Sequence, residues 1–168
     1  HRLVYPALNS GEGQEMAGNG PFPWVLLLID ENESPDNYML ISTRIAQRGT
    51  MVYIHTEINS ETNPTWQSLI GAILDVQSWM NQANQTNDFV LGMYGSVDEQ
   101  HWGLIGHGYG AVWASNVYIN WDNLVADVTL QPPRALVGLA MQVDSVQDPM
   151  VISGAMPNIA LYLSLIHI

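Results

Sequence analysis

The chain contains no cysteine, which removes a disulfide framework, a zinc–thiolate centre and a thiol nucleophile from consideration. Positive charge is nearly as scarce. There are 4 Lys+Arg against 16 Asp+Glu, a net charge of −12, and all four cations are arginines: Arg2, Arg44, Arg48 and Arg134. Nucleic acid and anionic membrane surfaces are therefore disfavoured as partners, because phosphate binding rests on basic patches. Long apolar runs are missing too. The longest, Trp24 to Ile29, falls far short of the roughly 20 residues a helix needs to cross a bilayer, so no membrane span is expected. An acid-rich, lysine-free surface leans toward extracytoplasmic or salty surroundings, where ions screen its self-repulsion.

What is present is enough for one well-filled core: 168 residues, 47% of them hydrophobic, with 6 Trp and 7 Tyr. His1 to Leu8 reads as a short strand ending at Pro6, and Asn9 to Gly20 as a glycine-rich loop. The run WVLLLI within Pro21 to Ile29 is the kind expected of a strand buried on both faces. After an acidic turn, Asp30 to Glu33, Ser34-Pro35 supplies a helix cap followed by proline at the first helical position. Tyr38, Ile41 and Ile45 then recur at helical spacing, with Gly49 as the stop. Thr50 to Ile58 is the next strand. Asn63-Pro64 opens a second helix with Trp66, Leu69, Ile70, Ile73, Val76 and Met80 on one face. Asn81 to Asp98 reads as a connection, Trp102 to Ile105 as a buried strand, Gly106 to Gly110 as a glycine-dense turn, and the residues to Trp121 as a helix. Arg134 to Met141 and Asn158 to Leu163 read as further strands. Strands alternating with helices imply an α/β domain, a mostly parallel sheet flanked by helices on both faces.

Strand, sharp turn and helix in the order of WGLIGHGYGA are the setting of a nucleophile elbow, G-x-S-x-G, with Gly108 where the serine would stand. This stretch resembles the G-H-S-x-G-G elbow of the α/β-hydrolase superfamily. PFPWVLLLIDENESPDNYMLISTRIAQRGTMVYI is similar to that family's strand, oxyanion turn, first helix and following strand, in the dienelactone hydrolase, chlorophyllase and cutinase-like lipase branch. The likeness runs from about Leu3 to Leu163. It implies serine acyl transfer: a serine attacks an ester carbonyl, a histidine takes the proton, an aspartate orients the histidine, and backbone N–H groups hold the oxyanion.

Carried onto this chain, the resemblance leaves no intact catalytic residue, since Gly108 has no attacking atom. It implies oxyanion donors at the backbone N–H groups of Tyr109 and Glu31. Asp30, His55, His107 and Tyr109 are the pocket candidates, His55 because ligands sit beyond the C-terminal ends of parallel strands. Asp30 and Glu31 put negative charge where an oxyanion would develop, the opposite of what that site requires. The orienting acid and the histidine of the family would follow the strand at Asn158, so the chain is expected to be C-terminally incomplete. Its last residues, Leu163 to Ile168 (LSLIHI), resemble the translated read-through of a sequencing-library adapter, which bounds the domain at residues 1–162 with a tail at 163–168.

Neither Ser96 nor Ser115 stands in the exposed, strained position a substitute nucleophile needs. The acidic run Asp30 to Asp36 offers alternate oxygens, but Pro35 replaces the turn glycine of a calcium loop and Ile41 its bidentate glutamate, so neither metal nor cofactor is expected. The sequons at Asn32 and Asn84 matter only in a glycosylating compartment. The functional expectation is a catalytically inactive α/β-hydrolase-like protein that binds a small ester or acyl ligand. One alternative is an active serine ester hydrolase in which Gly108 is a read error or a knockout. Another is a structural or partner-binding domain. Oligomeric state is not legible in the residues.

Overall fold

Strand β2 (Phe22–Leu28) lies at the middle of the structure, and its sequence explains why. Trp24, Leu26 and Leu28 face one side of the sheet, while Val25, Leu27 and the following Ile29 face the other. A strand with no polar face has to be covered on both sides. The computed structural model describes residues 2–18, 20–31, 33–56, 66–86, 93–124, 131–140 and 160–163.

Among the described residues the sheet has six strands in the order β1-β3-β2-β4-β5-β6. Besides β2 they are β1 (Arg2–Val4), β3 (Met51–His55), β4 (Val97–His107), β5 (Leu136–Leu139) and β6 (Ala160–Leu163). Of these strands β1 runs antiparallel to its neighbour β3, and the other pairings among them are parallel. Val25 sits between Val52 and Gly103, and Leu28 between His55 and Gly106.

Among the described residues three α-helices complete the layers: α1 (Met39–Ala46), α2 (Trp66–Gln85) and α3 (Tyr109–Leu124). The chain moves one way across the sheet from β2 to β3, then the other way from β3 past β2 to β4. Right-handed crossovers moving in opposite directions land on opposite faces. Met39 and Ile45 of α1 accordingly pack against Leu27, Val52, Ile54 and Ile105. Ile73, Val76 and Met80 of α2, with Ala114, Val117 and Trp121 of α3, pack on the face of Trp24, Leu26, Trp102 and Leu104. Three tryptophans lock that second layer. Trp24 and Trp102 stack at 5.1 Å, and Trp102 meets Trp121 edge-on at 5.4 Å. The indole N–H of Trp102 donates to the Gln131 carbonyl at 2.8 Å, which satisfies its one polar atom.

Several boundaries differ from the sequence expectation for physical reasons. The residues after Ser34 form a 3₁₀ turn (Pro35–Tyr38) before α1 begins, although Ser34 caps as expected, its Oγ accepting from Asp36 N at 3.3 Å. Three residues per turn instead of 3.6 rotate the faces that follow. Ile41, expected on the inner stripe, is therefore 39% exposed, and Ser42 and Ala46 are buried in its place. Strand β4 starts at Val97, before the expected Trp102; its first half, Asp98 to His101, is polar and largely exposed and so carried no apolar signal. Helix α2 continues to Gln85 because Ala83 still faces the core. Its expected opening at Asn63-Pro64 lies outside the described residues, as do the side chains of Trp66 and Leu69. Leu163, assigned to the tail, ends β6 opposite Leu139; residues 164–168 lie outside the described residues.

Leu26 is 1% exposed and Leu40 is 73% exposed. Leu26→Ala is expected to cost about 3 kcal/mol of unfolding free energy, and Leu40→Ala no more than about 0.5 kcal/mol, measured by urea titration of tryptophan fluorescence.

Candidate functional site

The loops after β2 and β4 leave neighbouring strands and run to opposite faces, one to α1 and the other to α3. Such a divergence opens a crevice beyond the strand ends, the usual place for a ligand in an open α/β sheet. The residues there are Asp30 and Glu31 after β2, and His107, Gly108 and Tyr109 at the junction of β4 and α3.

That junction is a single residue wide. Strand β4 runs through His107, α3 starts at Tyr109, and Gly108 alone makes the bend at φ +54°. The glycine-dense turn expected over Gly106 to Gly110 is thus narrower than the sequence suggested. Its outer glycines serve packing instead. A Cβ on Gly106 would collide with the backbone of Ala111, and one on Gly110 with the carbonyl of Leu28. Glycine at both positions lets α3 press directly on β4 and β2. The bend is tied to the sheet by Gly108 N–H, which donates to Leu139 O at 2.9 Å.

The Asp30 carboxylate occupies the concavity of this bend. Its Oδ1 accepts from Tyr109 N at 2.8 Å and from Glu31 N at 3.0 Å. Tyr109 opens a 16-residue helix, so its N–H is one of the donors that α3 cannot satisfy internally, and the helix dipole favours an anion there. A Cβ on Gly108 would strike Asp30 Oδ2 and Cγ and lie 2.6 Å from Oδ1. The carboxylate of Asp30 and a side chain at position 108 therefore claim the same space.

A tyrosine that the sequence marked only as a helix-face residue completes the cluster. The Tyr38 hydroxyl lies 2.8 Å from His107 Nδ1 and accepts from Asp30 N at 3.3 Å. Burial raises the Tyr38 phenol above its ordinary value; the Asp30 N–H bond opposes this, and the nearby Glu33 and Asp30 carboxylates add to it. The phenol thus keeps its proton at neutral pH. One signal for its role was in the sequence: a tyrosine on a buried stripe needs a partner for its hydroxyl.

The other nominated residues fall into two groups. Tyr109 is half-buried, its ring meeting Trp113 edge-on at 6.0 Å, and His107 is also half-buried. His55, at the end of β3 and level with Leu28, is only 4% exposed. Ser96 and Ser115 are both buried. Among the described residues no group of three or more acidic or histidine side chains is arranged to hold a metal ion. Asn84, the second sequon, spends its side chain on structure: it accepts from Val97 N at 2.9 Å and donates to Glu99 at 2.8 Å.

No protein-family model matches the chain, and no curated protein is significantly similar to it.

Two outcomes are expected from this geometry. Gly108→Ala should cost about 3–4 kcal/mol, the sum of overpacking and a left-handed φ, but only about 1–2 kcal/mol once Asp30→Gly has cleared the space. A urea-unfolding double-mutant cycle reads that coupling directly; additive costs would refute the shared space. The second concerns pH. A raised Tyr38 pKa means the native state holds a proton that the unfolded chain releases near pH 10, so its stabilisation is full below that pH and is lost as pH rises through the folded value. Tyr5 shifts the same way through burial. Tm should therefore fall from about pH 10 upward, and Tyr38→Phe should flatten the fall.

Proposed function

We propose that this chain is an α/β-hydrolase-like domain that does not carry out serine acyl transfer and that uses the switch-point crevice to hold a small ligand without hydrolysing it. The observation that carries this reading is the Asp30 carboxylate. In a serine hydrolase elbow the N–H of the residue after the nucleophile, together with one from the turn after the neighbouring strand, binds the developing oxyanion. Tyr109 N and Glu31 N correspond to those two donors, and both are taken by Asp30 Oδ1.

The strand order, the antiparallel first strand and the one-residue bend support the family resemblance at the level of architecture. Gly108 removes the attacking atom, and Asp30 removes the electrostatic help. Loss of the nucleophile alone costs on the order of 10⁶ in turnover in a serine hydrolase. An ester or acyl ligand would therefore be held with its carbonyl excluded from the occupied donors. The rival in which Gly108 stands for a lost serine meets a steric objection, since a serine Cβ collides with Asp30 as it is placed.

The test uses a folded sample. p-Nitrophenyl esters should show no turnover above buffer, and a fluorophosphonate probe should not label the protein. Acyl esters or their acids should raise Tm in proportion to log concentration. Ester turnover would overturn the reading. Probe labelling of a Gly108→Ser variant with Asp30 retained would favour the lost-serine rival.

A further inference from the structure

Helix α1 turns a hydroxyl inward and a leucine outward. Ser42 is fully buried, and its Oγ meets no hydrogen-bond partner, whereas Leu40 and Ile41 are both exposed. A lone exposed leucine needs no explanation. Two adjacent apolar side chains, flanked by charges in a symmetric order, do.

The chain is strongly acidic, with 4 Lys+Arg against 16 Asp+Glu, yet three of its four cations gather at one edge. Arg2 stands on β1, which lies against α1; Arg44 is in the last turn of α1, and Arg48 follows the helix. All three are exposed, as are Glu33 and Asp36 ahead of the helix. Along its axis this element is therefore negative at the start, apolar in the middle and positive at the end. Part of that order serves the helix itself, because acids suit an N-terminus and cations a C-terminus. The spacing goes further. Asp36 and Arg44 stand four residues from Leu40, one on each side.

We propose that the outer face of α1 is a dimerisation surface whose occupant is the same face of a second copy of this chain. A two-fold axis at Leu40, with the second α1 antiparallel, sets Leu40 against Leu40, Asp36 against Arg44, and Glu33 close to Arg48. Such a contact is isologous: one surface complements itself, and every favourable pair occurs twice. Packed helix axes lie about 8–10 Å apart, within reach of an arginine from one helix to a carboxylate on the other.

Charge selects this occupant over others. An acidic partner would suit Arg44 and Arg48 but be repelled at Glu33 and Asp36, and a basic partner would meet the reverse. A second copy satisfies both ends. The groups are also available. Arg2 Nη2 holds Asp36 through Oδ1 at 2.8 Å, a contact that uses one carboxylate oxygen. Arg44 Nη1 reaches Gln47 Oε1 at 3.5 Å, the outer limit of hydrogen bonding. None of these residues belongs to the crevice cluster, so the surface stands independently of the ligand reading.

Strength follows from size. Helix α1 is about 12 Å long, so the contact is smaller than a standard interface and its Kd falls between about 1 μM and 1 mM. Two copies of net charge −12 repel each other at long range. At about 0.15 M salt the Debye length is about 8 Å, which screens the distant charges more than the close pairs.

Sedimentation velocity in about 0.15 M NaCl, from about 10 μM to about 1 mM protein, tests the proposal. The sedimentation coefficient should climb with concentration toward that of a dimer. Arg44→Glu and Asp36→Arg should each remain monomeric, because each sets like charges together twice in the contact. Mixed in equal amounts, the two variants should form a heterodimer, since each supplies the charge that the other lacks. Leu40→Asp should also stay monomeric, with two carboxylates on the axis. All three positions are exposed, and urea-unfolding midpoints check that the variants fold. A chain that sediments as a monomer throughout, a dimer that persists in Arg44→Glu, or a mixture of the two charge variants that stays monomeric would each overturn the proposal.

Discussion

The Asp30 carboxylate, held on one oxygen by Tyr109 N and Glu31 N, joins the loop after β2 to the first turn of α3. Everything at the crevice is arranged around that anion. It satisfies a helix donor that would otherwise face the crevice unpaired, it places negative charge at the positive end of a 16-residue helix, and it excludes any side chain at position 108. The same atoms cannot hold a substrate oxyanion while Asp30 is there. A strand-to-helix bend with two converging N–H groups is thereby turned from a receptor of negative charge into a source of it.

The architecture makes this meeting possible. Asp30 and Tyr109 are far apart in sequence and come together because β2 and β4 are parallel neighbours whose exits diverge. Direct contact of α3 with the sheet depends on Gly106 and Gly110, where even a methyl group would collide with backbone. Below the crevice, the Trp24–Trp102–Trp121 cluster and the buried stripe of α2 hold β2 and β4 in register. The site therefore stands on a buried core, with a loop contributing one side and a helix terminus the other.

Tyr38 and His107 extend the cluster on the α1 side. The phenol is buried, retains its proton, and bridges the Asp30 backbone to the imidazole. This bridge belongs to the 3₁₀ turn that shifts the phase of α1, so the departure from a regular helix start and the placement of the hydroxyl have one cause. Acidic residues gather on this edge, and Glu33 meets Asn37 side chain to side chain across the same turn.

The fold class was largely legible in the residues. A run such as WVLLLI has no polar side, so it can only be a strand covered twice, and alternation with amphipathic helices then compels a parallel sheet. The helical stripe at Ile70, Ile73, Val76 and Met80 was readable because periodicity depends on neighbours in sequence, whereas Gly106 and Gly110 read as turn residues and their close packing against Ala111 and Leu28 came from the tertiary structure. Boundaries were less legible wherever a polar segment joined a strand by pairing alone, as at Asp98 to His101, or where a 3₁₀ turn changed the phase of a helix, as at Ile41. The glycine at position 108 could be read directly, and so could the negative charge at position 30. That the carboxylate enters the bend, takes both N–H groups and fills the space a side chain at position 108 would need was decided only by tertiary structure, because those atoms meet across two strands and no local rule of sequence carries a distance between them.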